Sequence, residues 1–218
     1  MGVDLGLSLS TFTQPSGPYG HDRSDIYSPS VRGGFNSSVF LRKMLQNSNS
    51  LFYQVGLAFN GKGGTYYKEN KNVIVVGPDG SGFGSDDKIY KFEYIETSAA
   101  IGWKSHNKSN KSDLSGFYFS LGVSPSILVS QSLKETYADD ESATRETDTD
   151  IARPFNAFIF TEGSIAIGGK IGFRIYIRGF YTPINSFKDS KIDDINYKSG
   201  MTGLSFGISS LLATSRRK

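Results

Sequence analysis

The chain has 218 residues, a formal charge of +3, no cysteine, 25 glycines, 16 phenylalanines and 12 tyrosines. Those numbers exclude a disulfide framework and a thiolate metal site, and so small a charge gives no argument for nucleic acid. No apolar run approaches the ~20 residues of a membrane-spanning helix, and Met1 leads straight into a strand pattern, which fits either a cytosolic protein or one whose secretory leader has been removed; the patterning of the rest of the chain favours the second.

Eight segments carry a two-residue rhythm. The first, Val3–Thr13, sets Val3, Leu5, Leu7 and Leu9 against Asp4, Gly6, Ser8 and Ser10. The second, Val31–Lys43, sets Val31, Phe35, Val39 and Leu41 against Arg32, Gly34, Asn36, Ser38 and Arg42. In the third, Leu51–Gly61, the apolar side is Leu51, Tyr53, Val55, Leu57 and Phe59. The fourth, Ile89–Lys104, opposes Ile95, Ala99, Ile101 and Trp103 to Tyr94, Glu96, Ser98 and Gly102. The fifth, Gly116–Ser130, opposes Phe117, Phe119, Leu121, Val123, Ile127 and Val129 to Tyr118, Ser120, Gly122, Ser124 and Ser126. The sixth, Asn156–Gly168, is less clean, because Phe158 and Phe160 share a face with Glu162, Ser164 and Ala166. The seventh, Lys170–Thr182, has Ile171, Phe173, Ile175, Ile177 and Tyr181 against Gly172, Arg174, Tyr176 and Arg178. The eighth, Met201–Ser209, has Leu204, Phe206 and Ile208 against Gly203, Ser205 and Gly207. Side chains in a strand alternate between its faces, so each segment has one apolar and one small or polar face.

The connections alternate between long and short. Gln14–Ser30, Gly64–Lys88, Gln131–Phe155 and Ile184–Gly200 are long and polar, whereas Met44–Ser50, Ser105–Ser115 and Gly169 are short. An up-and-down outer-membrane barrel sorts its loops this way, with short periplasmic turns and long extracellular loops. The polar faces agree. They carry Arg32, Arg42, Gln54, Asn60, Glu96, Lys104, Glu162, Arg174 and Arg178 among many small residues, which suits the narrow interior of an eight-strand barrel. The apolar faces are almost free of charge over the ~9–11 residues needed to cross hydrocarbon. Lys91 and Glu93 interrupt one of them only where a long strand would stand clear of the membrane. Tyr53, Trp103, Phe117 and Tyr181 fall near strand ends, as an interfacial girdle requires.

The expected fold is therefore all-β: one domain spanning residues 1–218, a closed eight-strand antiparallel transmembrane barrel in a Gram-negative outer membrane, with periplasmic termini and a flexible basic tail over 213–218. The inward charges Arg32, Glu96, Glu162, Arg174 and Arg178 form the candidate constellation. They must pair, because an unpaired buried charge costs several kcal/mol. Two readings stand, a salt-bridge network that plugs the lumen and a polar path for protons or small ions.

Other motifs carry less chemistry. The histidines, His21 and His106, fall at opposite ends of such a barrel, although Asp22, Ser24 and Asp25 beside His21 leave a loop site open. The glycine-rich run Gly77–Gly84 lacks the following helix of a phosphate cradle. The acidic loop 131–155, with Glu135, Asp139, Asp140, Glu141, Glu146, Asp148 and Asp150, has the oxygen ligands of a Ca²⁺ site but no EF-hand spacing. No cofactor, metal or enzymatic activity is expected.

Several stretches resemble one family. Tyr53-Gln54 through Gly61-Lys62-Gly63-Gly64, Tyr94-Ile95-Glu96, Ile177-Arg178-Gly179-Phe180-Tyr181 and the opening Val3–Phe12 strand are similar to the strand signatures of PorT-like outer-membrane β-barrel proteins of Bacteroidota. Ser98 stands where that family places a proline. The resemblance implies an outer-membrane barrel with an inward Glu96 and Arg178 and no shared enzymatic activity. Some members of that family belong to secretion or gliding machinery, and the expected partners of this barrel are outer-membrane lipid and other envelope proteins, in a secretion, gliding or nutrient-uptake assembly. The alternatives are a ligand-binding or small-solute transport barrel and, behind it, a lipid-modifying enzyme.

Overall fold

A computed structural model of the chain describes residues 1–13, 27–45, 50–68, 87–105, 114–137, 140–147, 152–187 and 200–213. Its strands in chain order are β1 Gly2–Phe12, β2 Tyr27–Ser30, β3 Arg32–Met44, β4 Leu51–Lys68, β5 Asp87–Lys104, β6 Gly116–Tyr137, β7 Asp140–Thr147, β8 Phe155–Gly168, β9 Ile171–Tyr181 and β10 Met201–Leu212. Eight of them form a ring, β4-β3-β1-β10-β9-β8-β6-β5, that closes through the β5–β4 pairing; β2 and β7 are appended to β4 and β6. All pairings are antiparallel. The expected eight-strand barrel is the observed one, and closure leaves its wall without an edge.

The apolar faces point outward. Leu57, Leu121 and Ile175 are 50%, 56% and 61% exposed, with no second layer over them, and the same holds for Leu5, Val39, Ile101 and Phe206. Only a hydrocarbon solvent makes such a surface favourable, since a monomer in water rarely exposes one contiguous apolar patch of this size. Lys91 and Glu93 also lie on the outer face of β5, paired to each other at 2.8 Å.

Three strands run further than the rhythm indicates. The β4–β5 ladder continues to Tyr67↔Asp87, and β5–β6 to Asp87↔Thr136. Segment 131–155, read as a loop, contains the end of β6 and the whole of β7. The physical reason is the change of solvent. Beyond the hydrocarbon the outer face no longer needs to be apolar, so Lys91, Ser132 and Lys134 stand there. The inner face keeps Tyr90, Phe92 and Leu133 buried. A register shift between Glu93 and Tyr94 absorbs one residue of β6 and restores the alternation.

Two glycines are required by geometry. Gly63 has φ +146°, and a Cβ there would lie 2.0 Å from the Tyr90 carbonyl oxygen. Gly168, at φ +144°, starts the two-residue turn into β9, where a Cβ would lie 2.3 Å from the Gly172 Cα.

Candidate functional site

The barrel interior is filled in layers. At the short-turn end Phe40, Phe52, Tyr118, Ala166 and Leu211 form an apolar floor. Arg42 lies over it, its guanidinium 4.5 Å from the ring centres of both Phe52 and Tyr118. Its Nε and Nη2 donate to Gln54 Oε1 at 2.9 and 2.7 Å.

Next comes an ion network. Arg174, fully buried, donates through Nη2 to Asp4 Oδ1 and through Nη1 to Glu162 Oε1, both at 2.7 Å, and through Nε to Ser209 Oγ at 2.8 Å. Arg178 donates through Nη2 and Nε to Glu162 Oε2 at 2.6 and 3.1 Å. The second Asp4 oxygen accepts from the Ser38 hydroxyl at 2.7 Å. Arg42 adds a longer ion pair to Glu162, at 3.8 Å. The strand register brings these groups together, since Glu162 lies directly opposite Arg178, and Ser209 opposite both Asp4 and Arg174. Charge-assisted bonds of this kind are about twice as strong as neutral ones, and here they tie β1, β8, β9 and β10 through one guanidinium.

Higher in the lumen Lys62 pairs with Glu96, both buried. The Lys62 ammonium sits 3.4 Å from the ring centre of Phe158 and 4.6 Å from that of Phe180, so two aromatic faces supplement its carboxylate partner.

The mouth on the long-loop side is roofed by aromatics. Phe12, Tyr90, Phe92, Tyr94, Phe158, Phe160 and Phe180 are all buried there. Phe187 joins them from the segment after β9, 5.0 Å from Phe12 and 5.6 Å from Tyr90 between ring centres. An isolated bridge between Ala152 and Phe187 holds that segment across the mouth. So do bonds from Arg153 N to Ser186 O and from Arg153 Nε to Phe187 O, each 3.0 Å.

Of the five residues singled out in the sequence, Glu162, Arg174 and Arg178 meet in one network. Glu96 lies in a separate pair. Arg32 belongs to neither: it is half-buried, and its Nη1 donates to the Lys62 backbone oxygen at 2.9 Å. That carbonyl lies in the glycine-rich stretch of β4, so this side-chain bond of Arg32 ties β3 to the β4 backbone. Sequence reasoning left Asp4 and Lys62 out of the constellation. Asp4 was legible from its place on the polar face of the first strand, whereas Lys62 sat at a strand–loop boundary with no rhythm to orient it.

The described residues include no histidine; His21, His106, the run Gly77–Gly84 and the tail from 214 lie outside them, as do Asp139, Asp148 and Asp150. The arrangement holds every lumen carboxylate named above against a cation. Among the described residues no group of three or more His, Cys, Asp or Glu could hold a metal ion.

A family profile described as outer membrane protein beta-barrel domain matches residues 1–209. Among solved structures, Neisserial surface protein A is similar at 10% identity, covering 95% of this chain and 94% of that one, with a TM-score of 0.42. Ail, the attachment invasion locus protein of Yersinia pestis, is similar at 11% identity, with coverage of 96% and 95% and a TM-score of 0.38. The chain matches none of the curated proteins.

Proposed function

Because the chain belongs to the outer membrane protein beta-barrel domain family, we propose that it is a non-conducting, non-enzymatic barrel of the bacterial outer membrane that acts through its long loops and outer wall. The observation that carries this reading is the filled lumen. A roof of aromatics, the Lys62–Glu96 pair, the Asp4–Glu162–Arg174–Arg178 network and an aromatic floor follow one another along the axis. The cavity among the ion clusters measures about 20 Å³, far below the ~300 Å³ of the smallest ligand pockets, which speaks against transport or ligand binding through the lumen.

The role follows from what remains. The termini and short turns face the periplasm, and the long loops, with the projecting β4–β7 sheet, face outward, as in barrels of this class. The outer wall meets lipid. The strand segments resembling PorT-like proteins of Bacteroidota support a place as an accessory subunit of a secretion, gliding or nutrient-uptake assembly.

Planar-bilayer recording tests the closed lumen. The folded protein is expected to leave the bilayer silent, and reproducible unit steps would overturn the reading. Native electrophoresis of membranes extracted in mild detergent tests the assembly role. The barrel is expected to migrate with a larger complex and to lose it when the β6–β7 hairpin is shortened; migration as a bare barrel in both cases removes the accessory role.

A further inference from the structure

The small cavity inside the barrel is bordered by members of both ion clusters, and its wall mixes polar groups with the rings of Phe158, Phe160 and Phe180. Asp4 and Arg178 border it from one side, Lys62 and Glu96 from the other. Two further wall residues, Asn36 and Ser124, are 5% and 2% exposed, and neither Asn36 Nδ2 nor Ser124 Oγ has a hydrogen-bond partner among the described residues. The other end of the Asn36 amide is engaged, since its Oδ1 accepts from the Tyr176 hydroxyl at 2.7 Å.

We infer that this cavity is a binding site for ordered water, which joins the two ion clusters into one hydrogen-bonded column. Three observations converge on it. Size comes first: about 20 Å³ is more than the ~10–15 Å³ one water needs, and too little for an organic ligand. Partners come second: a buried water makes two to four hydrogen bonds, and here the Asn36 amide can donate, the Ser124 hydroxyl can do either, and Lys62 and Glu96 stand beside them. Charge comes third. The charged wall residues are two carboxylates, Asp4 and Glu96, and two cations, Lys62 and Arg178. Those four charges balance within the wall, which therefore calls for no counter-ion of its own. Water satisfies the two idle groups and adds no charge. This site is independent of the closed-lumen reading, since water enclosed between sealed layers conducts nothing.

The test uses the full chain folded in detergent micelles. In water-to-protein NOE spectra, cross-peaks with the long residence time of enclosed water are expected at the Asn36 side-chain amide. Their absence would overturn the site. A crystal grown in bromide supplies the second reading: a light-atom peak within hydrogen-bond distance of Asn36 Nδ2 and Ser124 Oγ supports water, whereas an anomalous bromide peak or an empty cavity overturns it. Ser124→Ala supplies a third. If water bonds the hydroxyl, its loss lowers the urea midpoint of unfolding. If the hydroxyl is idle, its removal relieves a buried unpaired group and leaves the midpoint unchanged or higher, which sinks the inference.

Discussion

A buried ion network makes unequal demands on its members. Arg174 serves two carboxylates and a hydroxyl at once, so Arg174→Met leaves Asp4 with the Ser38 hydroxyl but no cation and removes one of the partners of Glu162. Breaking a buried pair costs about 3–5 kcal/mol, and urea unfolding in lipid vesicles is expected to register a loss of that size. Lys62→Met should cost a similar amount by leaving Glu96 alone, since Glu96 is 2% exposed. The double change Lys62→Met with Glu96→Leu removes both charges. It should return stability to the wild-type level or above, because a buried pair replaced by matched apolar groups is often neutral or better. A double variant as unstable as the single one would show that the pair holds the fold by more than mutual neutralisation. At this scale the sequence was legible wherever rhythm was strong. Arg174 and Arg178 stand in unbroken alternation, so their inward direction followed from position, whereas Glu162 shares its face with Phe158 and Phe160 and was read inward from the apolar Ile159, Ile165 and Ile167 opposite. Partner choice was not legible, because it depends on which strands become neighbours across the ring and on how far a side chain climbs. Lys62 faces Phe92 across the ladder yet reaches Glu96, and Arg32 spends its charge on a carbonyl.

At the scale of the strand, what counts is the medium each face meets. Leu121, on the outer face of β6 and 56% exposed, lies in the middle of the apolar band. Leu121→Arg is expected to cost about 2–4 kcal/mol of barrel stability, the penalty for that charge at the bilayer midplane. Lys134→Leu, on the outer face of the projecting part of the same strand, should fall within about 0.5 kcal/mol of wild type. Equal effects at the two positions, read by vesicle unfolding, would mean that lipid is not the solvent of the β6 outer face. The same change of medium explains why strand ends were misjudged. Alternation of apolar and polar residues reports lipid outside and a polar lumen inside. Above the membrane the outer face turns polar while Tyr90, Phe92 and Leu133 remain inside, so the rhythm faded and the strand did not. Gly63, at φ +146°, lies in that region. Gly63→Ala places a methyl against the Tyr90 carbonyl in a backbone conformation that costs an alanine about 1–3 kcal/mol by itself, and the yield of folded, heat-modifiable barrel should drop.

For the whole molecule, closure is redundant, and that sets what a single mutation can do to permeability. Phe187 is the roof's keystone by position: it is 2% exposed, packs on Phe12, Tyr90 and Phe92, and arrives from outside the barrel wall. Phe187→Ala should cost about 3–5 kcal/mol, as large aromatic truncations in cores do. Yet it should open no conductance. Beneath the roof an ion would meet Lys62 and Glu96, then the Arg174 network, then Phe40, Phe52 and Tyr118, and each layer spans the lumen through side chains held by partners on other strands. Conduction needs every layer to give way together, which amounts to losing the barrel core. The two readouts should therefore separate: Phe187→Ala unfolds at lower urea, while the planar bilayer stays as quiet as with the wild type. Unit steps from this variant alone would place the whole barrier in the roof, and the layers below would then have to be wet and passable rather than filled.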